Sequence, residues 1–313
     1  MMPIVKRFAE LLVFFLVLSF ISFIFIKLAP GDPVKRMLQV DEMPVTQEQI
    51  EALRRELRFD EPLPVQYWHW LQRFFQFDFG HSYITNKPVL SELVARFSDT
   101  MMLAAASLIV MITISVPLGT LAAIYQHTWV DHASRLFALV GSSVPSFWLG
   151  LLFIELFAVK LGVLPSMGKG TIKHLVLPSL TLGIAMAAVY VRLLRASLLE
   201  SFHEEYVRAA RARGIHEWRI FFFHVFRRAL MPVVTVFAMS LGSLLGGTVV
   251  VEVLFSYPGM GKLVVDAIIR RDYPVIQGSI LFISIVMVFI NGCVDVGYRY
   301  VNPEIRLKEV ERR

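Results

Sequence analysis

The chain has 313 residues, of which 56% are hydrophobic and 18% charged, with a mean hydropathy of +0.61. Soluble domains usually carry about 25% charged residues, so this composition argues against a soluble enzyme. The many aromatic and branched side chains exclude a disordered chain. The single cysteine, Cys293, excludes a disulfide framework and a cysteine-rich metal site. A net charge of +6 in so apolar a chain points first to basic loops on one side of a membrane, and only second to nucleic acid.

Six stretches of the sequence are nearly free of charge and close to the ~20 apolar residues that a membrane-spanning helix needs. The first is longer than the apolar part of a signal peptide, so we interpret it as a retained anchor. The sequence therefore predicts an all-α integral membrane protein with transmembrane helices at residues 8–28, 101–124, 136–160, 175–195, 230–252 and 276–298.

The basic residues in the connecting segments predict the orientation of the chain. If the N-terminus lies inside, the short inner segments hold 16 Lys and Arg residues and the short outer segments hold 6. Because positive loops stay inside, both termini are predicted to be cytoplasmic. We divide the chain into a first helix with a long outer loop, 1–99, a five-helix core, 100–299, with a coupling loop at 196–229, and a cytoplasmic tail, 300–313.

The long outer loop is predicted to hold a short amphipathic helix at residues 46–58. Thr46 is a candidate N-cap, and Ile50, Leu53 and Leu57 recur at helical spacing. An aromatic-rich stretch follows at residues 67–79, and such clusters suit the membrane–water interface. A nucleic-acid stacking platform is disfavoured, because the loop is richer in acidic than in basic residues.

Motifs that would indicate catalysis do not occur in the sequence. HExxH and GxSxG are absent. The segment 256–263 resembles a phosphate-binding loop but has Ser256 in place of the first glycine and Leu263 in place of the magnesium-binding Ser or Thr. The eight histidines are scattered. We therefore predict no catalytic residue, no metal site and no bound cofactor, and interpret 257–259 as a turn after the fifth helix.

Two groups of residues are candidates for a pathway or an outer gate. Ser143 and Pro145 interrupt the third predicted span, which suits either a partly polar pore wall or an ordinary kink. Glu252 ends the fifth span, where it would line the outer mouth of a pathway or lie at the interface. Pro258 and Gly259, in the turn that follows, complete this set.

The inner segment at residues 204–229 is the most informative part of the sequence. Glu204 and Arg208 form an i,i+4 pair, alanines favour a helix, and Gly214 is a natural helix stop. The residues after Gly214 are too apolar for a loop surrounded by water, with Trp218 and four phenylalanines by position 226. This pattern predicts a short helix that docks into a groove of another protein, with a basic loop on anionic headgroups as the alternative.

This segment resembles the coupling motif of permease subunits of ATP-binding-cassette (ABC) importers, in the dipeptide/oligopeptide/nickel branch. The motif reads Glu-Ala-Ala, three residues, Gly, nine residues, Ile-x-Leu-Pro, and this chain has Arg208, Ala209 and Ala210, then Gly214, then His224 at that spacing. The glutamate, isoleucine and proline are missing, but residues 206–214 match the version found in that branch. Further blocks that resemble the branch lie in order at 29–33, 78–82, 143–148, 177–178, 255–259, 271–277 and 302–306.

The resemblance implies a type-1 ABC importer permease in the bacterial cytoplasmic (inner) membrane, crossing it several times. Its implied partners are a second, homologous permease, two cytoplasmic ATP-binding subunits that hold ATP and magnesium, an extracytoplasmic solute-binding protein and membrane lipid. The permease itself is then no enzyme. The coupling residues are, by the same resemblance, Tyr206, Arg208, Ala209, Ala210, Gly214 and His224. The aromatic outer loop and residues 252–261 would face the binding protein.

Two substrate classes stay open at this point. The short link at residues 161–174 resembles nickel and glutathione permeases, and residues 192–197 and 43–46 resemble nickel permeases. Residues 177–183 instead resemble glutathione or peptide permeases. We favour nickel or a metal chelate, with a dipeptide, oligopeptide or glutathione as the alternative. A stand-alone channel or secondary transporter is the alternative of another class, and the docking helix argues against it.

Overall fold

A computed structural model describes residues 2–28, 46–56 and 60–301. The sequence blocks at 29–33 and 302–306, and most of the predicted tail, lie outside this part of the chain. The helices are α1 Met2–Leu28, α2 Gln47–Glu56, α3 Leu63–Phe75, α4 Val89–Ile124, α5 Trp129–Ser143, α6 Ser146–Phe153, α7 Lys173–Phe202, α8 Glu205–Ala212, α9 Glu217–Ile220, α10 Arg227–Leu254, α11 Met260–Arg270 and α12 Tyr273–Val301. Helices α6 and α9 continue as π-helices, Ile154–Lys160 and Phe221–Phe226.

Four helical segments of the described residues are long and apolar enough to cross a membrane, namely Val89–Ile124, Lys173–Phe202, Glu217–Gly242 and Tyr273–Val294. They correspond to the second, fourth, fifth and sixth predicted spans. The apolar part of α1, Glu10–Ile24, is shorter. The all-α fold class is confirmed for the described residues, while the full set of six crossings stays a prediction.

The third predicted span, 136–160, is broken near Ser143 and Pro145, where the sequence indicated an interruption, and does not run as one continuous helix. Helices α5 and α6 are bent by 103° at their junction, and α5 begins at Trp129, inside the segment predicted as a loop. Pro145 has no N–H and disfavours a helical conformation of the residue before it. Val144 is accordingly extended, at φ −83° and ψ 124°, and α5 ends there.

The described chain divides into two compact units. The first comprises Met1–Phe97 with Leu263–Val286, and the second comprises Ser98–Lys262 with Met287–Arg313. In the first unit, Thr46 caps α2 as predicted, because its hydroxyl accepts from the Gln49 N–H at 3.4 Å and its N–H donates to the Gln49 side chain at 3.0 Å. Ile50 is buried, whereas Leu53 and Leu57 lie outside the described side chains.

The aromatic-rich stretch of the first unit packs largely against itself and α1. The rings of Phe23, Tyr67, Trp70 and Phe74 follow one another at centroid distances of 5.5, 6.1 and 5.7 Å. The Tyr67 hydroxyl also lies 2.8 Å from Ser19 Oγ. Aromatic contacts of this kind add about 0.5–1.5 kcal/mol each beyond their burial, so the stretch ties α3 to α1.

Two of the resembling sequence blocks meet in the first unit. Asp272 is buried and accepts hydrogen bonds from Ser82 Oγ at 2.5 Å and from the Tyr83 N–H at 3.1 Å. Burial raises the pKa of Tyr83. A buried carboxylate is costly unless it is hydrogen-bonded, so Asp272 depends on these two contacts. They join the start of α12 to the segment before α4.

In the second unit, α7 is the most buried of the candidate spans. One apolar cluster forms where its C-terminal turns meet α8 and the π-helix after α9, and it includes Leu194, Leu198, Val207, Ala210, Ile220, Phe221 and Val225. A second cluster forms toward the other end of α7 against the C-terminal end of α10. The first cluster positions the candidate coupling site.

Candidate functional site

Helix α8 is the centre of the candidate site. Two residues, His203 and Glu204, separate it from the end of α7. Its side chains divide between two faces. Val207 is fully buried and Ala210 is 7% exposed, and both pack into the cluster with Leu198 of α7. This apolar face fixes α8 on the rest of the second unit. The predicted coupling loop 196–229 is largely helical, since it also contains the end of α7, α9 and the π-helix that follows.

The opposite face of α8 carries positive charge and small residues. Arg208 and Ala209, both predicted coupling residues, are exposed, as are Arg211 and Ala212. Alanine leaves the backbone close to the surface, so another protein can approach this face closely. The structure thus places Ala209 and Ala210, adjacent in the motif, on different faces: Ala209 outward and Ala210 inward.

Gly214 ends the α8 segment with a left-handed turn, as the sequence indicated. Its φ is +72°, its N–H donates to the Arg211 carbonyl at 2.9 Å, and the Ile215 N–H donates to the Ala210 carbonyl at 3.2 Å. This is a Schellman ending, in which glycine avoids the penalty of a Cβ. A Cβ added at Gly214 would meet no other atom of the second unit within 4 Å. The space that a side chain would occupy there is therefore open.

Tyr206 and His224, 18 residues apart, are brought together beside α8. Their rings stack at 6.5 Å and 28°, and the Arg228 guanidinium lies 5.5 Å from the Tyr206 ring centroid. Arg228 also lies 3.5 Å from Glu204, the residue before α8. Burial raises the pKa of the Tyr206 hydroxyl. These contacts tie the start of α8 to the first turn of α10.

A second ion pair bridges the turn after α8. Arg211 donates to the Glu217 carboxylate at 2.7 and 3.1 Å, and this hydrogen bonding raises the pKa of Arg211. Both side chains are exposed, so the pair stabilises the turn by at most about 1 kcal/mol.

Large aromatic side chains next to α8 are uncovered. Trp218 is 65% exposed and Phe223 is 70% exposed, and Trp218 stacks on the half-exposed Phe222 at 5.6 Å. Exposed apolar surface of this size marks a contact with another protein or with membrane. Part of the apolar segment that the sequence indicated therefore lies on the surface beside α8, while Ile220, Phe221 and Val225 are buried.

The candidate outer-gate residue Glu252 is fully buried near the end of α10. Its carboxylate accepts from Thr100 Oγ1 at 2.7 Å and from the Lys262 N–H at 3.0 Å. The Met260 N–H in turn donates to Thr100 Oγ1 at 2.8 Å. Gly259 is buried against the same carboxylate. Glu252 thus holds the segment between α10 and α11, and its role in a pathway stays a prediction.

The turn between α10 and α11 forms where the sequence predicted it. Phe255 and Tyr257 are buried, while Pro258 is half-buried. Burial, reinforced by the charges of Asp99 and Glu252, raises the pKa of Tyr257 to about 12. The Phe255 carbonyl accepts from the Gly168 N–H at 2.8 Å, which fastens the link between α6 and α7 to this turn.

Ser143 and Pro145 lie at the break between α5 and α6, both exposed. The Ser143 hydroxyl donates to the Leu139 carbonyl at 2.8 Å, and this carbonyl lies in the last turn of α5. The hydroxyl thus occupies a backbone acceptor at the interrupted helix end. A pore-lining role for these residues stays a prediction.

Sequence reasoning missed two ion pairs of the second unit. Arg195 of α7 donates two hydrogen bonds to Asp131 of α5, and Lys169 pairs with Asp99. Charged residues at the edges of apolar stretches were the available signal, but the sequence does not show which of them pair. Within the described residues, no group of three His, Cys, Asp or Glu side chains is placed to hold a metal ion.

Family models match nearly the whole chain. Residues 115–307 match the inner membrane component of binding-protein-dependent transport systems, and residues 1–104 match the N-terminal part of the membrane component of such systems. The chain belongs to this permease family. It is a permease subunit of an ABC importer and a multi-pass protein of the inner membrane, and ATP hydrolysis belongs to a separate subunit.

Curated relatives resemble the permease over almost its full length. The glutathione transport system permease protein GsiC of Escherichia coli (strain K12) is 41% identical over 305 residues, which cover 97% of this chain and 99% of the relative. The proteins of the same name from Shigella flexneri serotype 5b (strain 8401) and Salmonella choleraesuis (strain SC-B67) are 40% identical over 305 and 306 residues, with the same coverage.

Solved structures share the fold of the permease. A chain of the MetNI methionine ABC transporter in an inward-facing conformation aligns with a TM-score of 0.55 at 20% identity, covering 67% of the permease and 96% of that chain. A chain of an amino acid ABC transporter aligns with a TM-score of 0.54 at 13% identity, covering 67% and 94%. The type-1 permease fold predicted from the sequence is confirmed.

Proposed function

We propose that this permease translocates glutathione or a short peptide across the inner membrane. The observation that carries the proposal is the 41% identity, over 97% of this chain, to permeases of glutathione transport systems. The resemblance of residues 43–46 and 192–197 to nickel permeases favoured nickel, but these relatives are named for glutathione transport. The comparisons therefore favour the peptide and glutathione alternative.

The assembly around the permease is part of the proposal. A second, homologous permease completes the pathway, two cytoplasmic ATP-binding subunits hold ATP and magnesium, and an extracytoplasmic binding protein delivers the solute. Both termini and α8 lie on the cytoplasmic side, in accord with the excess of Lys and Arg in the predicted inner segments. In this assembly the binding protein contributes a large share of the substrate selectivity, and the permease supplies the pathway through the membrane.

Helix α8 is the proposed contact with the ATP-binding subunit. Its basic, alanine-containing face is exposed, its opposite face is fixed by Val207 and Ala210, and the space before Gly214 is open. Such a helix can enter a groove and transmit movement, because its buried face is packed on α7. Closure of the ATP-binding subunits would then shift α8 and α7 together and alternate the access of the pathway.

The substrate is tested by deleting this gene and measuring uptake of labelled glutathione, a labelled dipeptide and nickel ions. We expect glutathione or dipeptide uptake to fall to background and to return when the gene is supplied on a plasmid. Nickel uptake should be unchanged. Loss of nickel uptake alone would overturn the substrate proposal and restore the metal alternative.

The role of α8 is tested at Gly214 with two substitutions that share the same backbone strain. Gly214→Ala and Gly214→Trp both place a Cβ at φ +72°, which costs about 1–2 kcal/mol, but only tryptophan fills the open space. We expect both variants to insert into the membrane, Gly214→Ala to retain most uptake, and Gly214→Trp to lose uptake and substrate-stimulated ATP hydrolysis. Normal uptake by Gly214→Trp would contradict the docking of α8.

A further inference from the structure

A buried ion pair joins α5 to α7 in the second unit. Asp131, in the first turn of α5, is fully buried, and Arg195 of α7 is 18% exposed. Arg195 Nε donates to Asp131 Oδ1 at 2.6 Å, and Arg195 Nη2 donates to Oδ2 at 2.9 Å. The His127 N–H adds a third hydrogen bond to Oδ2 at 3.1 Å. Both oxygens of the Asp131 carboxylate therefore accept hydrogen bonds, one on Oδ1 and two on Oδ2.

This pair is not needed to bring the two helices together. Farther along α5, Gly141 faces Ala188 of α7 so closely that a Cβ on Gly141 would lie 2.6 Å from the Ala188 Cβ. Small residues of this kind supply close helix packing without charge. A bidentate arginine–carboxylate pair adds direction and register, because it is satisfied in one geometry. The pair therefore fixes how α5 is aligned along α7.

The Arg195 end of the pair is rigidly connected to α8. Leu194 and Leu198, on either side of Arg195, belong to the cluster that also contains Val207 and Ala210 of α8. Phe202, the last residue of α7, is only seven positions after Arg195. A displacement of α8 is therefore passed to Arg195 through packed side chains.

The Asp131 end of the pair is connected to the bent junction. Asp131 lies in the first turn of α5, and this helix ends at Ser143, directly before the 103° bend and α6. Hinges in proteins lie at residues that end helices or form loops, because these residues can absorb a change in backbone angle. Movement of α7 that is carried to α5 by the ion pair would thus reach this bend.

We propose that Asp131 and Arg195 are positioning residues that transmit the displacement of α8 through α7 to α5 and its bend. This inference rests on the proposed docking of α8. It predicts a defect in coupling, meaning the number of substrate molecules transported per ATP hydrolysed, rather than a defect in binding or in ATP hydrolysis.

The test uses the complete importer, reconstituted in vesicles with its partner subunits and its binding protein. Arg195→Lys keeps the charges paired but loses the fork of two hydrogen bonds, so the variant can still fold. The double variant Asp131→Arg with Arg195→Asp exchanges the two charges between α5 and α7, so an ion pair can still form. The control is Arg135→Gln, because Arg135 is half-exposed and lies 3.6 Å from Asp131 without the paired hydrogen bonds.

We expect Arg195→Lys to lower the ratio of transported glutathione to hydrolysed ATP by about 2- to 30-fold, the range for residues in a coupled network. Substrate-stimulated hydrolysis itself should stay near the wild-type rate. Arg135→Gln should keep the wild-type ratio. A further variant, Asp131→Asn, removes one charge of the pair, and the charge exchange should lose less of the ratio than this variant does. A wild-type ratio in Arg195→Lys, or a parallel loss of transport and hydrolysis, would overturn the proposal.

Gly214→Trp in the same preparation separates this inference from the function on which it rests. If Gly214→Trp abolishes substrate-stimulated hydrolysis while Arg195→Lys is fully coupled, the docking of α8 stands and the positioning role fails. If Gly214→Trp transports normally, the docking of α8 itself fails, and the positioning role fails with it.

Discussion

At the scale of single residues, Glu252 shows how a buried charge organises a loop. Its carboxylate accepts from Thr100 Oγ1 and from the Lys262 N–H, and Gly259 packs directly against it. A Cβ on Gly259 would lie 2.1 Å from Glu252 Cδ, closer than any real contact. Glycine is therefore required there by close approach, and the two residues act as one unit.

We predict that Gly259→Ala destabilises the permease by about 1–3 kcal/mol, because the added methyl group displaces the buried carboxylate. The measurement is the thermal unfolding midpoint of the purified chain in detergent. Glu252→Ala will also destabilise, since it leaves the Lys262 N–H without that acceptor. The double variant should lose less than the two single losses combined, because the methyl group then has room. Strictly additive losses would contradict this account.

At the scale of elements, close packing by glycine holds the helices around α7. A Cβ on Gly183 would lie 2.5 Å from the Val110 Cβ of α4 and 2.8 Å from the Ser107 carbonyl oxygen. Gly119 of α4 approaches Leu194 in the same way, at 3.1 Å. Small residues let helices approach closely where no hydrophobic effect drives them together in lipid. These contacts determine the spacing of α4 and α7.

We expect Gly183→Ala to lower the stability of the permease by about 1–3 kcal/mol, since both neighbours on α4 include atoms that cannot move away without shifting the helix. Gly246→Ala in α10 is the matched control, because a Cβ there meets nothing within 4 Å and alanine is the better helix former. Unfolding midpoints of the two purified variants are compared in one detergent. Equal midpoints would show that α4 and α7 are not held by this contact.

At the scale of the whole molecule, the distribution of charge predicts which side of the membrane each segment faces. Residues 192–229 hold 8 Lys and Arg residues, whereas residues 161–174, the link between α6 and α7, hold 2. Basic segments stay cytoplasmic during insertion. The link before α7 is therefore predicted to be extracytoplasmic and α8 to be cytoplasmic.

Labelling of intact cells tests this orientation. Val163→Cys and Ala212→Cys place a thiol at exposed positions on either side of α7, in a Cys293→Ser background that removes the exposed native thiol. We expect a membrane-impermeant maleimide to label Val163→Cys in intact cells, and Ala212→Cys only after the membrane is opened and the ATP-binding subunits, which would cover α8, are removed. The reverse pattern would show that the chain is inserted in the opposite sense.

Local features of the sequence were sufficient for several elements. Long apolar stretches indicated α4, α7, α10 and α12, because hydropathy is a property of consecutive residues. The Thr46 cap and the turn at Gly214 were likewise indicated, since each depends on neighbours within a few positions. The bend between α5 and α6 was underestimated, because a proline marks a break but does not give its angle.

The sequence by itself determined that this is an apolar, basic, multi-span chain with a short helix that stops at Gly214, since charge and hydropathy are read from adjacent residues. Only the tertiary structure decided that Tyr206 stacks on His224, that Glu252 holds the loop at Gly259, and that Asp131 pairs with Arg195. These partners are 7 to 64 positions apart, and the packing of helices chooses among many equally charged or aromatic candidates. Some of the basic residues are thus exposed arginines on α8, whereas the partly buried Arg195 pairs with Asp131 of α5.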